Sequence, residues 1–337
     1  MPYALGTAEL GGRTCVLGAP EDRGPLFLMY PPFERSVQIA PGPGGCMAIT
    51  ARPDTEGELY CIMGCFLGYK FQGGGIYAVV REEDGDESWV MNRIIDLPFA
   101  HRIDFVTKAG VLYLVAASIA EEKSEPADWS KPGHVYAAAV PRSPDDSWSL
   151  TPILDGLHKN HGFRVGRYNE RPAILVSGVE GLFAIWLDDE SGGWPVERLV
   201  DKEISEFSLY DIDGDGHDEL ITIEPFHGSH LRVYRRTDGG WTDAGWEEEL
   251  EYGHCLWTGT FQGRASILVS NRSGRRNLNL YRFSVRSGGH PGTLQPERII
   301  VDEGVGAANM VVVGARGTDT IVATNQTTSE IAAYAPS

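Results

Sequence analysis

Residues 206–236 read EFSLYDIDGDGHDELITIEPFHGSHLRVYRR, and this stretch shows the repeating unit of the chain most clearly. Apolar and polar residues alternate in three short runs that are separated by turn residues. This pattern predicts three antiparallel β-strands. Two further clear copies begin at His161 and His254. Repetition at this spacing is typical of a fold that is built from copies of one small sheet.

Looser copies complete the repeat. They begin at Met1, Cys46, His101 and Asn309. Short runs such as VERLVDKE and ERIIVDEG lie between the copies and predict a fourth strand in each unit. The sequence therefore predicts an all-β chain, a seven-bladed β-propeller of four-stranded antiparallel blades that forms a single domain over residues 1–337. The last copy ends after its third strand, so its blade either lacks an outer strand or closes in an unusual way.

The charge of the chain restricts its partners and its expected location. The formal net charge is −18 and is spread along the sequence, which disfavours binding to nucleic acid or to anionic membranes. No run of 18 apolar residues is present, and the N-terminal residues do not resemble a leader peptide. We therefore expect a soluble, cytoplasmic protein.

The five cysteines suit a reducing compartment. They are odd in number and scattered through predicted strands, which favours buried, reduced thiols over a disulfide framework. Cys61 and Cys65 have a spacing that also permits metal binding, although two small core residues on one strand explain the same spacing.

Three histidines share one position of the repeat. His101, His161 and His254 stand at the start of the first strand in their blades, and Glu206 takes that position in a fourth blade. In a propeller this position lies at the mouth of the central channel. Imidazoles with a carboxylate fit a divalent transition metal, either Zn or an ion of the Mn or Ni type, and they also suit acid–base chemistry. The alternative is that each histidine caps a strand end.

Other polar residues are predicted on the same face. They are Tyr69, Lys70, His158, His227, Arg272, Arg275 and Asn325. Arginines with aromatic neighbours suit a polyhydroxylated or carboxylated ligand, whereas each residue taken alone also fits a solvated loop. A long insertion, residues 120–136, carries Trp129, which either stacks on a sugar ring as part of a lid or belongs to an exposed insert.

The loop DIDGDGHDEL presents a row of carboxylates. Asp211, Asp213 and Asp215 alternate along it, and Glu219 follows. Such oxygen donors predict a structural Ca²⁺ or Mg²⁺ site. It is not an EF-hand, because Thr222 stands where that loop requires Glu. A turn that holds no metal is the alternative.

This acidic loop and the following strand are similar to the repeat of FG-GAP or VCBS-type propellers. The histidines at first-strand positions, together with EPFHG (residues 224–228), resemble the propeller domain of aldos-2-ulose dehydratase and, more distantly, the propeller-type polysaccharide lyases. The match has gaps. The acidic loop is intact only in the fifth blade, Met1 and Cys46 replace histidine in two blades, and the second domain of the fungal enzyme has no counterpart in these 337 residues.

The resemblance implies a metal-dependent carbohydrate lyase or dehydratase, a carbon–oxygen lyase acting by β-elimination on a keto-sugar or oxidised glycoside at the channel mouth. A metal-bound carbonyl would acidify the neighbouring C–H bond. His161, His254 and Glu206 would bind the metal, with His101 a weaker fourth ligand. His227 and Tyr69 would be base and acid, with His158 in reserve. The substrate-binding residues would be Lys70, Arg272, Arg275, Asn325 and Trp129.

Two other functions fit the sequence. One is a non-catalytic carbohydrate-binding or protein-binding propeller, because a fold does not determine a function. The other is hydrolase or isomerase chemistry on the same metal-bound sugar. For the enzyme we expect a small carbohydrate as partner. The oligomeric state, a homodimer included, stays open.

Overall fold

The structure is a computed structural model that describes residues 1–66, 73–82, 88–189, 192–283, 294–315 and 318–335. These residues form 27 β-strands and no α-helix. The chain divides into two compact units, Met1–Asp201 and Lys202–Ser337. In every sheet the strands follow one another in chain order and pair with their neighbours antiparallel.

The first unit contains four sheets of four strands. They are β1 (Pro2–Leu10), β2 (Arg13–Pro20), β3 (Leu26–Met29) and β4 (Ser36–Ala40); β5 (Ala48–Ala51), β6 (Glu58–Met63), β7 (Gly75–Arg81) and β8 (Trp89–Asp96); β9 (Ala100–Lys108), β10 (Val111–Ser118), β11 (Gly133–Ala139) and β12 (Thr151–Leu157); and β13 (Gly162–Tyr168), β14 (Arg171–Gly178), β15 (Gly181–Trp186) and β16 (Val196–Val200). Within this unit the first strands of neighbouring sheets, β1, β5, β9 and β13, contact one another.

The second unit contains two sheets of four strands and one of three. They are β17 (Glu206–Tyr210), β18 (Glu219–Glu224), β19 (His230–Thr237) and β20 (Gly240–Glu249); β21 (Gly253–Phe261), β22 (Arg264–Asn271), β23 (Leu278–Arg282) and β24 (Glu297–Asp302); and β25 (Ala307–Ala315), β26 (Thr318–Asn325) and β27 (Glu330–Tyr334). Here too the first strands, β17, β21 and β25, are neighbours.

Short turns set the register of the first two strands in four sheets. In each, two residues with positive φ join the strands, as Asn169 (48°) and Glu170 (61°) do between β13 and β14. The same holds for Gly11–Gly12, Ala109–Gly110 and Gln262–Gly263. Two positive φ angles define the type I′ turn, whose twist matches that of an antiparallel hairpin.

The core lies between neighbouring sheets of a unit and depends most on the second strand of each sheet. All six residues of β18 are buried, and Ile221 and Ile223 pack with residues of the next sheet, such as Ile267 and Val269. Burying one such side chain stabilises the fold by about 1.5–3 kcal/mol. The apolar runs that predicted strands are therefore also the source of the core.

The predicted fold class, an all-β seven-bladed β-propeller, is confirmed. The first strands of the seven sheets begin within two residues of the predicted blade starts. Four strands per blade hold in six sheets, and the seventh has three within the described residues. The chain divides into two compact units, and the single domain predicted over residues 1–337 stays a prediction. No helix in the described part of the chain is long and apolar enough to cross a membrane.

Candidate functional site

The first unit brings two of the predicted histidines together. His101 lies on β9 and His161 directly precedes β13, and their ring centroids are 4.7 Å apart. Both residues are buried, with 3% and 1% of their surface exposed. A guanidinium nitrogen of Arg102 lies 2.8 Å from Nδ1 of His101. Because arginine only donates, this nitrogen of His101 accepts, and the cation beside it opposes the binding of a metal ion there.

The second unit holds another predicted pair, His254 and Glu206, on the neighbouring strands β21 and β17. Nδ1 of His254 lies 2.8 Å from the carbonyl oxygen of Ala308, which accepts its hydrogen. The lone pair of His254 is therefore on Nε2, the arrangement common in metal-binding histidines. Glu206 is close enough to Cys255 that its charge adds to burial, which raises the pKa of that thiol to about 12.

These contacts bear on the predicted transition-metal ligands without testing them. The environment of His254 suits a nitrogen ligand, because its Nε2 keeps a lone pair. The environment of His101 disfavours one, because the guanidinium of Arg102 lies 2.8 Å from its Nδ1. The four predicted ligands come from both units, so the metal centre formed by His101, His161, Glu206 and His254 stays a prediction.

Three aromatic rings form a stack on loops of the second unit. The rings of Phe226 and His227 are stacked with centroids 3.9 Å apart and an interplanar angle of 26°. The ring of Tyr252 is tilted by 36° to that of His227, with centroids 4.7 Å apart. The phenol oxygen of Tyr252 is 2.7 Å from Nδ1 of His227. Tyr252 is 41% exposed. We call Phe226, His227 and Tyr252 the aromatic stack.

The backbone holds the aromatic stack in place. His227 has a φ of 48°, a conformation that costs a non-glycine residue about 1–2 kcal/mol. Its N–H donates to Oγ of Ser205 at 3.1 Å, which helps to offset this cost. The ring of His254 lies 5.2 Å from that of His227, beneath the stack on β21. The exposed ring of Tyr252 and the half-buried rings of Phe226 and His227 are therefore held on an ordered support.

Polar contacts fix the neighbouring loop after β22. The Oγ of Ser273 donates to the carbonyl oxygen of Glu251, and the N–H of Arg275 donates to the Glu251 carboxylate at 2.9 Å. Arg272 donates to the side-chain oxygen of Gln326. The predicted residue Arg275 is exposed on this loop, and Arg272 is half-buried. The backbone N–H of Arg272 also donates to the carbonyl oxygen of Tyr252 at 2.9 Å. The loop thus places Arg272 and Arg275 close to Tyr252.

Three other predicted site residues, His158, Trp129 and Asn325, contact side chains of this protein. Nδ1 of His158 pairs with Glu180 at 2.6 Å. Trp129 lies under the ammonium group of Lys123, 3.3 Å from the ring centroid, within its own insertion. Asn325 is fully buried and donates to the phenol oxygen of Tyr334. Tyr69 and Lys70 lie outside the described residues.

The acidic loop gathers its three aspartates. One carboxylate oxygen each from Asp211, Asp213 and Asp215 lies within 4.8 Å of the others. Arg235 donates to Asp213 at 2.7 Å and so supplies one positive charge. Burial raises the pKa of Glu219 to about 7. The loop can hold a hard cation or rest on Arg235, and the Ca²⁺ or Mg²⁺ site stays a prediction.

All five cysteines are free and buried, as the sequence predicts. Burial raises the pKa of Cys65 to about 12 and also raises that of Cys61. Metal ions bind the thiolate, and a raised pKa makes the thiolate harder to form. This environment therefore favours the interpretation of Cys61 and Cys65 as core side chains.

Sequence reasoning missed Phe226 and Tyr252. Phe226 stands within EPFHG, where only the histidine was considered. Tyr252 is the single aromatic residue in EEELEYG (residues 247–253). An aromatic residue in an otherwise acidic loop was the available signal, because aromatic side chains are enriched at binding surfaces.

Comparison with known proteins supports the fold and no closer relationship. No family model matches the chain, and no curated protein matches it. Two similar solved structures are of BBS1N in complex with ARL6DN, one soaked with mercury and one with lead. Their TM-scores are 0.57 and 0.58 at 14% identity, and each alignment covers 99% of this chain and 92% of the other. Likeness at this identity shows the fold alone.

These comparisons correct the predicted function. The prediction of a carbohydrate lyase or dehydratase is wrong, because the similar structures hold a chain of this fold in complex with another protein. A small carbohydrate as the partner is wrong for the same reason. The physical cause of the error is that short histidine motifs repeat wherever a blade repeats, so they report the fold and not the chemistry. The roles predicted for individual residues stay predictions, because these comparisons align folds and not single side chains; the residues are His227, Tyr69, His158, Lys70, Arg272, Arg275, Asn325 and Trp129.

Proposed function

We propose that this chain is a non-catalytic, protein-binding propeller that docks a partner protein on the aromatic stack of its second unit. The exposed ring of Tyr252, which is hydrogen-bonded to His227, carries the proposal. Tyrosine and arginine are the residue types that most often dominate binding energy at protein interfaces. The similar structures, in which BBS1N is in complex with ARL6DN, support binding of this class.

The arrangement suits a binding surface for energetic reasons. The stack is ordered before any partner arrives, because the phenol, the imidazole and the backbone N–H of His227 are already bonded. Binding to an ordered surface avoids the loss of side-chain freedom that weakens association. Arg275 and Arg276 are exposed on the neighbouring loop and can pair with carboxylates at the rim of the interface.

Two narrower points belong to the same proposal. We infer a reducing compartment, the cytoplasm, because the five thiols are free. We also retain the resemblance to FG-GAP or VCBS-type repeats, which rests on the acidic loop of the fifth sheet.

Site-specific crosslinking tests the proposal. The photoreactive residue p-benzoylphenylalanine replaces Tyr252 in the full chain, and a matched chain carries it at Val111, which is equally exposed in the first unit. Both proteins are irradiated in extract of the source cells, and the crosslinked proteins are identified. We expect one protein to crosslink at position 252 and not at 111. The same set of proteins at both positions contradicts the proposal.

A further inference from the structure

The loop after β22 concentrates positive charge on an acidic chain. It reads RSGRR over residues 272–276, so three of its five residues are arginine, whereas acidic residues outnumber basic ones 47 to 29 in the whole sequence. Arg275 and Arg276 are exposed, and Arg272 is half-buried. We call residues 272–276 the arginine loop. A local excess of positive charge of this kind attracts an anionic ligand.

The charge of the arginine loop is not compensated by the described residues. Four other arginines of the second unit each pair with a carboxylate at 2.7–3.0 Å; they are Arg232, Arg235, Arg264 and Arg298. In contrast, Arg272 and Arg276 donate to the uncharged side-chain oxygens of Gln326 and Thr327. The structure describes no hydrogen bond from the guanidinium of Arg275 to any residue within its described ranges. The three guanidinium groups can therefore take a carboxylate from outside.

The acidic residue beside the loop, Glu251, serves the backbone instead. Its carboxylate accepts the N–H of Arg275 at 2.9 Å. Gly274 has a φ of 58°, and a Cβ at this position would lie 2.1 Å from the same carboxylate. Only glycine permits this close approach. Glu251 thus fixes the course of the loop and leaves the guanidinium groups to a ligand.

The main chain of the arginine loop is fixed on both sides. The N–H of Arg272 donates to the carbonyl oxygen of Tyr252 at 2.9 Å, which joins the loop to the aromatic stack. On the other side the N–H of Gly306 donates to the carbonyl oxygen of Arg276 at 2.9 Å. A ligand that binds here therefore does not have to order the backbone, a cost that weakens association with mobile loops.

The charge of the whole chain indicates which anionic partner fits. Nucleic acid and anionic membranes carry dense charge over an extended surface, most of which would face a chain of net charge −18. A short acidic segment of a protein brings its charge to the arginine loop alone, and interactions beyond about 8 Å are largely screened at physiological ionic strength. A free phosphate ion would use the arginines but leave the exposed ring of Tyr252 uncovered.

We propose that the partner segment bound at the aromatic stack is acidic, with aspartate or glutamate side chains beside an apolar one. Its carboxylates pair with the arginine loop, because a guanidinium presents paired N–H donors to a carboxylate. Its apolar side chain packs on the ring of Tyr252. This inference rests on the proposed function, since it names the kind of segment that docks on the aromatic stack.

A random-peptide phage library, selected on the immobilised full chain, is the probe. We expect the enriched peptides to contain acidic residues beside an aromatic or aliphatic residue. The most enriched peptide is synthesised with a fluorescent label, and its Kd is measured by anisotropy. Replacing its acidic residues with the corresponding amides should abolish binding. Sodium phosphate should compete no better than sodium chloride of equal ionic strength.

Charge reversal on the chain tests the same pairing. Arg275→Glu should weaken the peptide by about tenfold or more, because it places a like charge opposite the acidic segment. Arg276→Glu should act in the same direction. The matched control Arg167→Glu reverses an exposed arginine of the first unit and should bind as the wild type does. All three variants should keep the wild-type unfolding temperature, since the side chains they change are exposed.

Failure of this inference is distinguishable from failure of the proposed function. If the protein that crosslinks at position 252 binds Arg275→Glu as tightly as the wild type, the aromatic stack docks a protein and the acidic segment is wrong. If the peptide is weakened by Arg275→Glu and not by Tyr252→Ala, the arginine loop binds an acidic segment and docking on the stack is wrong.

Three results overturn the inference. They are a selection that enriches no acidic peptides, equal affinity of the peptide for the wild type and Arg275→Glu, and displacement of the peptide by phosphate at constant ionic strength. The last result assigns the arginine loop to a phosphate ligand.

Discussion

The phenol oxygen of Tyr252 lies 2.7 Å from Nδ1 of His227, and this hydrogen bond joins two loops of the second unit. The loops come from consecutive sheets, one following β18 and the other preceding β21. The bond and the stacked ring of Phe226 keep the exposed ring of Tyr252 in one orientation. The surface on which the proposed function depends is therefore built by contact between loops.

Replacing Tyr252 with phenylalanine separates the hydrogen bond from the ring. Tyr252→Phe removes the bond to His227 and keeps the aromatic surface. We expect the free energy of unfolding to fall by about 0.5–1.5 kcal/mol, the usual net value of one hydrogen bond, in denaturant titrations. Binding of the crosslinked partner should change less than threefold. A loss of binding as large as that of Tyr252→Ala would show that the bond, not the ring, carries the interaction.

Asp104 makes the stability of the first unit depend on pH. Burial raises its pKa above 3.8, although the hydroxyl of Thr50 and the N–H of Phe105 donate to it and partly oppose the shift. A raised carboxyl pKa means that the folded chain binds a proton that the unfolded chain has released. The contribution of Asp104 to the free energy of unfolding is therefore fully present below pH 3.8. It is lost as pH rises through the raised pKa.

The variant Asp104→Asn tests this dependence. Free energies of unfolding are measured from pH 3 to pH 8, and the wild type should lose stability over the window above pH 3.8 relative to the variant. The exposed Asp238→Asn serves as control and should follow the wild type. Parallel curves for Asp104→Asn and the wild type would refute the assignment.

The buried second strand of the fifth sheet should dominate the stability of the second unit. Ile221 is fully buried on β18. Ile221→Ala should lower the free energy of unfolding by about 2–5 kcal/mol, through lost burial and the cavity left behind. The matched control Val196→Ala removes an exposed side chain from β16 and should change it by less than about 0.5 kcal/mol. Equal effects of the two variants would contradict the described core.

The acidic loop responds to Ca²⁺ if it binds a cation. Calcium chloride in the millimolar range should then raise the unfolding temperature of the wild type, since a ligand at a hundredfold excess over its Kd stabilises by about 2.7 kcal/mol. Asp215→Asn should remove this effect, because its exposed carboxylate belongs to the cluster, and Asp238→Asn should not. A wild type that is indifferent to Ca²⁺ indicates a turn without metal, held by the Arg235–Asp213 pair and by backbone N–H groups that donate to Asp211.

The fold was predictable because its signals are local. Alternating apolar residues and short turns recur in each blade, so the first strands could be placed within two residues. The burial of Asn325 was not predictable in the same way, because a polar residue at a strand end lies in the core or at the surface according to its neighbours. Its bond to Tyr334 shows which of the two holds here.

The function was less predictable because it depends on contacts between distant residues. His227 was singled out for acid–base chemistry, and the structure stacks its ring on Phe226 and joins its Nδ1 to the phenol of Tyr252, 25 residues further along the chain. Trp129 was predicted either to stack on a sugar ring or to belong to an exposed insert, and the structure places it under the ammonium group of Lys123. In each case the residue type was informative and its partner was set by tertiary structure.

The affinity of the partner that crosslinks at position 252 tests the central claim most directly. That protein is purified and titrated calorimetrically into the wild-type chain, Tyr252→Ala and Val111→Ala. The account predicts that Tyr252→Ala weakens binding at least tenfold, which corresponds to about 1.4 kcal/mol, and that Val111→Ala binds as the wild type does. Equal affinities for all three chains would contradict it.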